Sequence, residues 1–362
     1  MAPFEYPKVM LDFLSEARSY LEKHELSEIP NRVKELVEEH DKWRVNSCIN
    51  LIASENILSP TAKALLATDF GSRTAEGYIG ARMYKGYKCL DQIEALVVEL
   101  ARKLYRTKYV EYRPTSGATA NAVAFYAFTK PGDVAASLTV PAGAHISYRK
   151  YGIAGFHGLK IVDIPFDIDN YEIDLNGLET VAKATKPKLI VIGASVILFP
   201  YPLKQIREIA DEVGSKIMFD GAHVMGLIAG KKFQDPLKEG ADVLSGSTHK
   251  TFPCGLGGWL FWDNDDYTEQ VHSACHPGIV STHGSLNRIV AMPVVLAEML
   301  AFGERYADQV VKNAKAFARA LDEGGLNPLY RKRGYTESHQ VVVDCSKYGK
   351  GERAASILES CN

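Results

Sequence analysis

Residues 188–220 read KLIVIGASVILFPYPLKQIREIADEVGSKIMFD. The run at 188–195 has the length and β-branched content of a buried strand. The stretch 202–213 carries apolar residues at helical spacing and stops at Gly214, and a second short apolar run follows at 216–220. Strand, helix and strand in succession make the unit of a parallel sheet. Such strands read as continuous apolar runs because helices cover both faces.

The same pattern extends outward. Further strand candidates lie at 109–113, 133–139, 159–166, 241–246 and 257–262, giving seven in all. The expected fold class is α/β: a seven-stranded, mostly parallel sheet with helices on both faces. Ser59-Pro60 reads as a helix cap and first turn. Leu90, Ile93, Val97, Leu100 and Leu104 form a helical stripe that should pack on the sheet. Two helical stretches open the chain; the second follows Pro30, with Asn31 as its expected cap and Val33, Leu36 and Val37 on one face. A long helical region is expected from about Asn287 to Leu321, then a strand at Gln340–Asp344 and a helix at Glu352–Ser360. These expectations divide the chain into an N-terminal arm (1–58), a large domain (59–285), and a linking helix with the start of a small C-terminal α/β domain that looks incomplete (286–362).

Composition narrows the function. With 362 residues, 42 basic against 44 acidic side chains and a formal charge of -2, the chain offers no polyanion-binding surface, so no nucleic-acid partner is expected. The six cysteines form no C-x-x-C pair and are too sparse for a disulfide framework, as in a cytoplasmic protein. Neither a signal-like segment nor a membrane partner is expected. His272 and His276 are spaced as H-x-x-x-H among the ten histidines, yet no metal site is expected.

Three stretches could carry chemistry. Ser247-Thr-His249-Lys250-Thr251 follows a strand, and ligands of open α/β sheets collect beyond the carboxyl ends of strands. A partly desolvated lysine there is an imine former, although an isolated loop lysine is usually just solvated. Asp220 ends the strand at 216–220 with His223 three residues on. A buried aspartate needs a positive partner, and a pyridinium nitrogen is one; alternatively Asp220 caps the next helix and His223 is a satisfied core histidine. Pro114-Thr-Ser116-Gly117-Ala118-Thr opens an apolar helix at 122–128, and free N–H groups at such a turn suit phosphate, or are plain caps. One cofactor would use all three.

Asp220-Gly-Ala-His223 and Ser247-Thr-His-Lys250-Thr resemble the cofactor motifs of serine hydroxymethyltransferases. The likeness includes Leu51-Ile-Ala-Ser-Glu-Asn56 and Ala75-Glu-Gly-Tyr78 with Arg82 and Tyr84, and Asp235–Asp242 is similar to the archaeal branch. The resemblance implies a fold-type I pyridoxal 5'-phosphate (PLP) transferase that is a homodimer. It would exchange a one-carbon unit between serine, glycine and a reduced pterin, either folate or methanopterin. It further implies that Lys250 bears the cofactor, Asp220 meets the ring nitrogen and His145 stacks on the ring. Ser195 and His223 would neighbour the ring hydroxyl, and Ser116, Gly117, Ala118 and His249 would hold phosphate. Ser54 and Tyr84 would line the amino-acid site, with Glu76 as acid/base group.

The sequence also departs from the pattern. Thr74 replaces the usual tyrosine, Ala118 a hydroxyl residue, and the Gly-Pro-(Arg or Gln)-Gly-Gly turn reads Cys254-Gly-Leu-Gly-Gly258. The family's carboxylate-clamping arginine lies downstream of the residues present. Two alternatives therefore stand beside the first reading: a threonine aldolase or transaldolase, and a non-catalytic paralogue of the same fold.

Overall fold

A computed structural model describes residues 6–276 and 282–361. All seven candidate strands are present: β1 (Tyr109–Glu111), β2 (Val134–Ser137), β3 (Lys160–Asp163), β4 (Leu189–Gly193), β5 (Lys216–Asp220), β6 (Val243–Ser247) and β7 (Gly258–Trp262). They form one sheet in the order β1-β7-β6-β5-β4-β2-β3. From β6 to β3 every pairing is parallel. β7 runs antiparallel to both β6 and β1, because the loop between β6 and β7 is too short for the crossover that a parallel return requires. Leu189–Ile192 and Ile217–Phe219 are fully buried, which accounts for their unbroken apolar runs.

Helix α1 (Lys88–Tyr105) buries Leu90, Val97 and Leu104, each contributing about 2 kcal/mol of apolar burial. It packs chiefly on the long helix Leu286–Glu323 rather than on the sheet, but its last residue, Tyr105, packs against the rings of Trp259 and Phe261 of β7. Between them in sequence, α2 (Gly117–Phe128) starts at the exit of β1 and buries Ala120–Phe125. The helix Leu203–Val213 ends at Gly214, whose φ of 71° is the left-handed conformation that glycine adopts without strain. Ser59 accepts a hydrogen bond from the Ala62 amide, as its cap reading requires.

The long helix α3 (Leu286–Glu323) is, by length and composition, apolar enough to cross a membrane. Its Ile289, Ala291, Met292, Val295 and Leu296 are instead fully buried in the core.

Two compact units are distinguished, one of residues 1–52 with 345–362, the other of residues 53–344. The first contains the helices Lys8–Lys23, Ile29–His40 and Gly351–Ser360. Asn31 is not a cap: the helix begins at Ile29, Pro30 occupies its first turn where no N–H partner is needed, and Asn31 lies inside. In the second unit, 340–344 does not form the expected strand. Among the described residues its only backbone–backbone hydrogen bonds go to 327–329, where one bridge joins Pro328 and Val343, and the Gln340 side-chain amide is spent on Ser195, Ile197 and His223.

Candidate active site

The loop after β6 is held from several directions. The Thr248 hydroxyl donates to the Gly255 carbonyl at 2.6 Å, and that of Thr251 to the His223 carbonyl at 2.7 Å. Asn56 donates to the Lys250 carbonyl at 2.7 Å and to the Tyr306 hydroxyl at 2.8 Å, while Tyr306 donates to the Thr251 carbonyl. The backbone of Lys250 is thereby fixed, yet its Nζ has no hydrogen-bond or ion-pair partner among the described residues. Burial lowers the Lys250 pKa, with Asp220 opposing the shift. A lysine so placed has more neutral amine available for attack on an aldehyde.

Asp220 ends β5, in register with Gly193 of β4 and Ser245 of β6. It is 3% exposed. Its Oδ2 accepts from Asn121 at 2.8 Å and its Oδ1 from the Ala222 amide at 3.0 Å, and no cation forms an ion pair with it among the described residues. Asn121 also donates to Ser147 Oγ at 3.0 Å and accepts from Ser245 Oγ at 2.8 Å. Because Asn121 occupies a lone pair of Ser147 Oγ, that hydroxyl is free to donate to His145 Nδ1 at 2.8 Å, and the Ser147 amide donates there at 3.2 Å. Nδ1 of His145 is therefore the acceptor, and the proton of the neutral ring sits on Nε2. Burial lowers the His145 pKa and keeps that ring neutral.

His223 is pushed down to about 2 by burial and by Lys250, and Gln340 donates to its Nδ1 at 3.3 Å. It stacks on His339, whose ring donates to the Ala53 carbonyl at 2.9 Å next to Ser54. Ser195 follows β4, with its amide on the Gly143 carbonyl and its own carbonyl on Gln340.

Ser116 caps α2: its Oγ accepts from the Thr119 amide at 3.0 Å, and Thr119 returns a bond to the Ser116 amide. Gly117 and Ala118 are the first helical residues, whose N–H groups have no intrahelical acceptor. A Cβ on Gly117 would strike Ser247 Oγ, and one on Gly258 would strike the Ser116 carbonyl, so the turn lies tightly against the loop that carries His249. A cavity of about 510 Å³ opens beside it, lined by Ser54, Asn56, His249, Gly255 and Arg288 among others. The buried Nδ1 of His249 has no hydrogen-bond partner among the described residues, and the ring's pKa is pushed down to about 4 by burial.

Lys250, Asp220, His145, Ser195, His223, Ser116, Gly117, Ala118, His249 and Ser54 thus come from the carboxyl side of the sheet and its flanking loops. For Glu76 and Tyr84, no side-chain hydrogen bond or ion pair to these residues is present among the described residues. Their ribbon is held separately. Arg82, buried and paired with Asp91 and Glu94, donates to the carbonyls of Ala75 and Gly77 at 3.2 Å each, and the Gly77 amide donates to His276 at 3.2 Å. These bonds fix the backbone on both sides of Glu76.

A family model described as serine hydroxymethyltransferase matches residues 26–362. This chain belongs to the serine hydroxymethyltransferase family. Curated relatives of that name include one from Staphylothermus marinus, 46% identical over 91% of this chain and 75% of its own length. Another, from Archaeoglobus fulgidus, is 46% identical over the same shares. A third, from Methanocaldococcus jannaschii, is 46% identical over 92% of this chain and 77% of its own. The archaeal likeness read in the sequence is borne out, as is the fold-type I architecture of the family.

The family uses pyridoxal 5'-phosphate, and the residues present fit it. Asp220 is a buried carboxylate lacking a cation, Lys250 is a desolvated amine lacking a partner, and the α2 turn offers unpaired N–H groups. Sequence reading gave no role to Asn121, Gln340 or His339, and quoted Asn56 only as the end of the Leu51–Asn56 motif. Asn121 had a signal, a lone amide within the apolar helix after the Ser-Gly turn; Gln340 and His339 touch the site across 117 and 286 residues of chain and had none.

Proposed function

We propose that this chain interconverts serine and glycine, passing the one-carbon unit to a reduced pterin, as a cytoplasmic homodimer. The observation that carries the reading is the pairing of a partnerless, desolvated Lys250 with a buried, cation-free Asp220 on adjacent strand ends. Pyridoxal 5'-phosphate supplies an electron sink for the bond broken at the substrate Cα. Lys250 would hold it, Asp220 would keep its ring nitrogen protonated, and the Gly117 and Ala118 amides with Ser116 and His249 would take its phosphate. His145 presents a neutral face with Nε2–H, and Ser195 and His223 stand beside it. Ser54 lies in the cavity next to His249 and would contact the amino acid.

Glu76 would take the proton from the serine hydroxyl oxygen and return it in the reverse direction. We assign Glu76 and Tyr84 to the site of a second copy, as in a homodimer with sites built from both chains. Glu76→Gln should slow serine cleavage by roughly a hundredfold with the cofactor still bound. Equal activity would remove Glu76 from the role.

The retro-aldol cleavage of threonine needs the same residues without the pterin. Thr74 and the turn Cys254–Gly258 favour that second reading. Serine cleavage measured with tetrahydrofolate, with tetrahydromethanopterin and with neither separates them. Stimulation by either pterin supports the transferase, whereas pterin-independent threonine cleavage that exceeds serine turnover supports the aldolase.

A further inference from the structure

Arg288, near the start of α3, is only 2% exposed. Its Nη2 donates to the carbonyls of Tyr112 at 2.7 Å and Pro114 at 3.2 Å, both on the segment that leads into the Ser116 turn. Its Nη1 reaches Met292 Sδ at 3.3 Å, and its Nε has no hydrogen-bond partner among the described residues. On the opposite side lies the glycine turn: a Cβ on Gly257 would strike the guanidinium, and one on Gly255 would sit 3.5 Å from Arg288 Cγ. Gly258 in turn donates to the Pro114 carbonyl at 2.9 Å. The guanidinium is therefore sandwiched directly behind the two backbone turns that frame the candidate phosphate site.

No carboxylate pairs with Arg288 among the described residues. Glu111, the nearest acidic influence, is already committed to Arg113 and His272. Cys254, Cys275 and Tyr112 also surround it, and burial pushes all three up, so they are neutral at ordinary pH. A fully buried cation without a counter-ion is costly, and its field extends through the low-dielectric interior to whatever occupies the turn. The side chain at the crest of the glycine turn, Leu256, is 71% exposed and brings no charge.

We infer that Arg288 is the counter-charge of the cofactor phosphate, acting from behind the Ser116–Ala118 turn rather than by direct contact. The inference rests on the cofactor reading above. It makes Arg288 a positioning residue for the turn and an electrostatic determinant of phosphate affinity, in a cavity it shares with His249.

The test compares pyridoxal 5'-phosphate with pyridoxal, which lacks the phosphate, in equilibrium binding to the full-length apo chain. Inorganic phosphate is followed in parallel by its effect on the melting temperature. Arg288→Gln keeps a donor for the Tyr112 carbonyl and removes the charge. Arg288→Lys keeps the charge and guards against a misfolded first variant. The expected result is that Arg288→Gln weakens pyridoxal 5'-phosphate by on the order of tenfold or more and abolishes stabilisation by inorganic phosphate, with pyridoxal affinity unchanged. Arg288→Lys should keep a phosphate-to-pyridoxal affinity ratio near that of the unaltered chain. Parallel loss of both ligands, or no loss of either, overturns the inference, as does an Arg288→Lys ratio far from that of the unaltered chain. If the unaltered chain binds inorganic phosphate in an Arg288-dependent manner but not pyridoxal 5'-phosphate, the cofactor reading fails and the counter-charge stands. Binding of neither refutes both.

Discussion

Asn121→Ala removes one amide and strands three buried groups. Its Nδ2 hydrogens go to Asp220 Oδ2 at 2.8 Å and Ser147 Oγ at 3.0 Å, and its Oδ1 accepts from Ser245 Oγ at 2.8 Å. Asp220 and Ser147 are 3% exposed and Ser245 is fully buried, so water cannot readily replace the amide. A hydrogen bond to a charged group is worth about 2 kcal/mol and each neutral one about 1 kcal/mol, giving a loss of about 4 kcal/mol in unfolding free energy. Urea unfolding of the apo chain at neutral pH reads this directly. Asn121→Asp should cost at least as much at pH 7 and less as the pH falls, because protonating either carboxyl relieves the repulsion with Asp220. A loss below about 1 kcal/mol in Asn121→Ala, or an Asn121→Asp deficit independent of pH, would refute the network as drawn.

Gly193 has φ 115° and faces the Asp220 carbonyl where a Cβ would go, so Gly193→Ala should destabilise the chain by about 3 kcal/mol or fail to fold; a melting temperature near that of the unaltered chain would contradict this packing. His223 at about 2 and His249 and His339 at about 4 all lie below the ordinary value of 6.5. Their stability contribution is complete above pH 6.5 and is lost as the pH falls toward 4, because the unfolded chain takes up protons that the folded one refuses, and His339→Gln should flatten the pH dependence of stability in that window. Arg82→Lys keeps charge beside Glu94 and Asp91 but cannot hold both carbonyls that flank Glu76, so turnover should fall about tenfold or more at similar KM. In a Glu76→Gln background the same change should have no further effect, and additive losses would mean that Arg82 acts elsewhere.

The sheet was legible because its central strands β4 to β7 are buried on both faces, which leaves an uninterrupted apolar run such as Leu189–Ile192. The position of Lys250 and Asp220 at strand ends followed from that, as did the helix start at Ser116. Less legible was everything set by contacts far apart in sequence: Asn56 on the Lys250 carbonyl, Gln340 on His223, and Arg288 behind the glycine turn. Local pattern also misread 340–344, whose apolar residues resemble a strand but meet only one bridging neighbour among the described residues, Pro328. The Asn31 cap failed for a related reason, since Pro30 is compatible with the first helical turn as well as with the residue before it.

The central claim is that Lys250 carries the cofactor. Incubating the chain with pyridoxal 5'-phosphate, reducing with borohydride and mapping the labelled peptide by mass spectrometry tests it most directly. The label should fall on Lys250 alone at one equivalent per chain, and Lys250→Ala should take up none. A label on another lysine, or undiminished labelling of Lys250→Ala, would contradict the account.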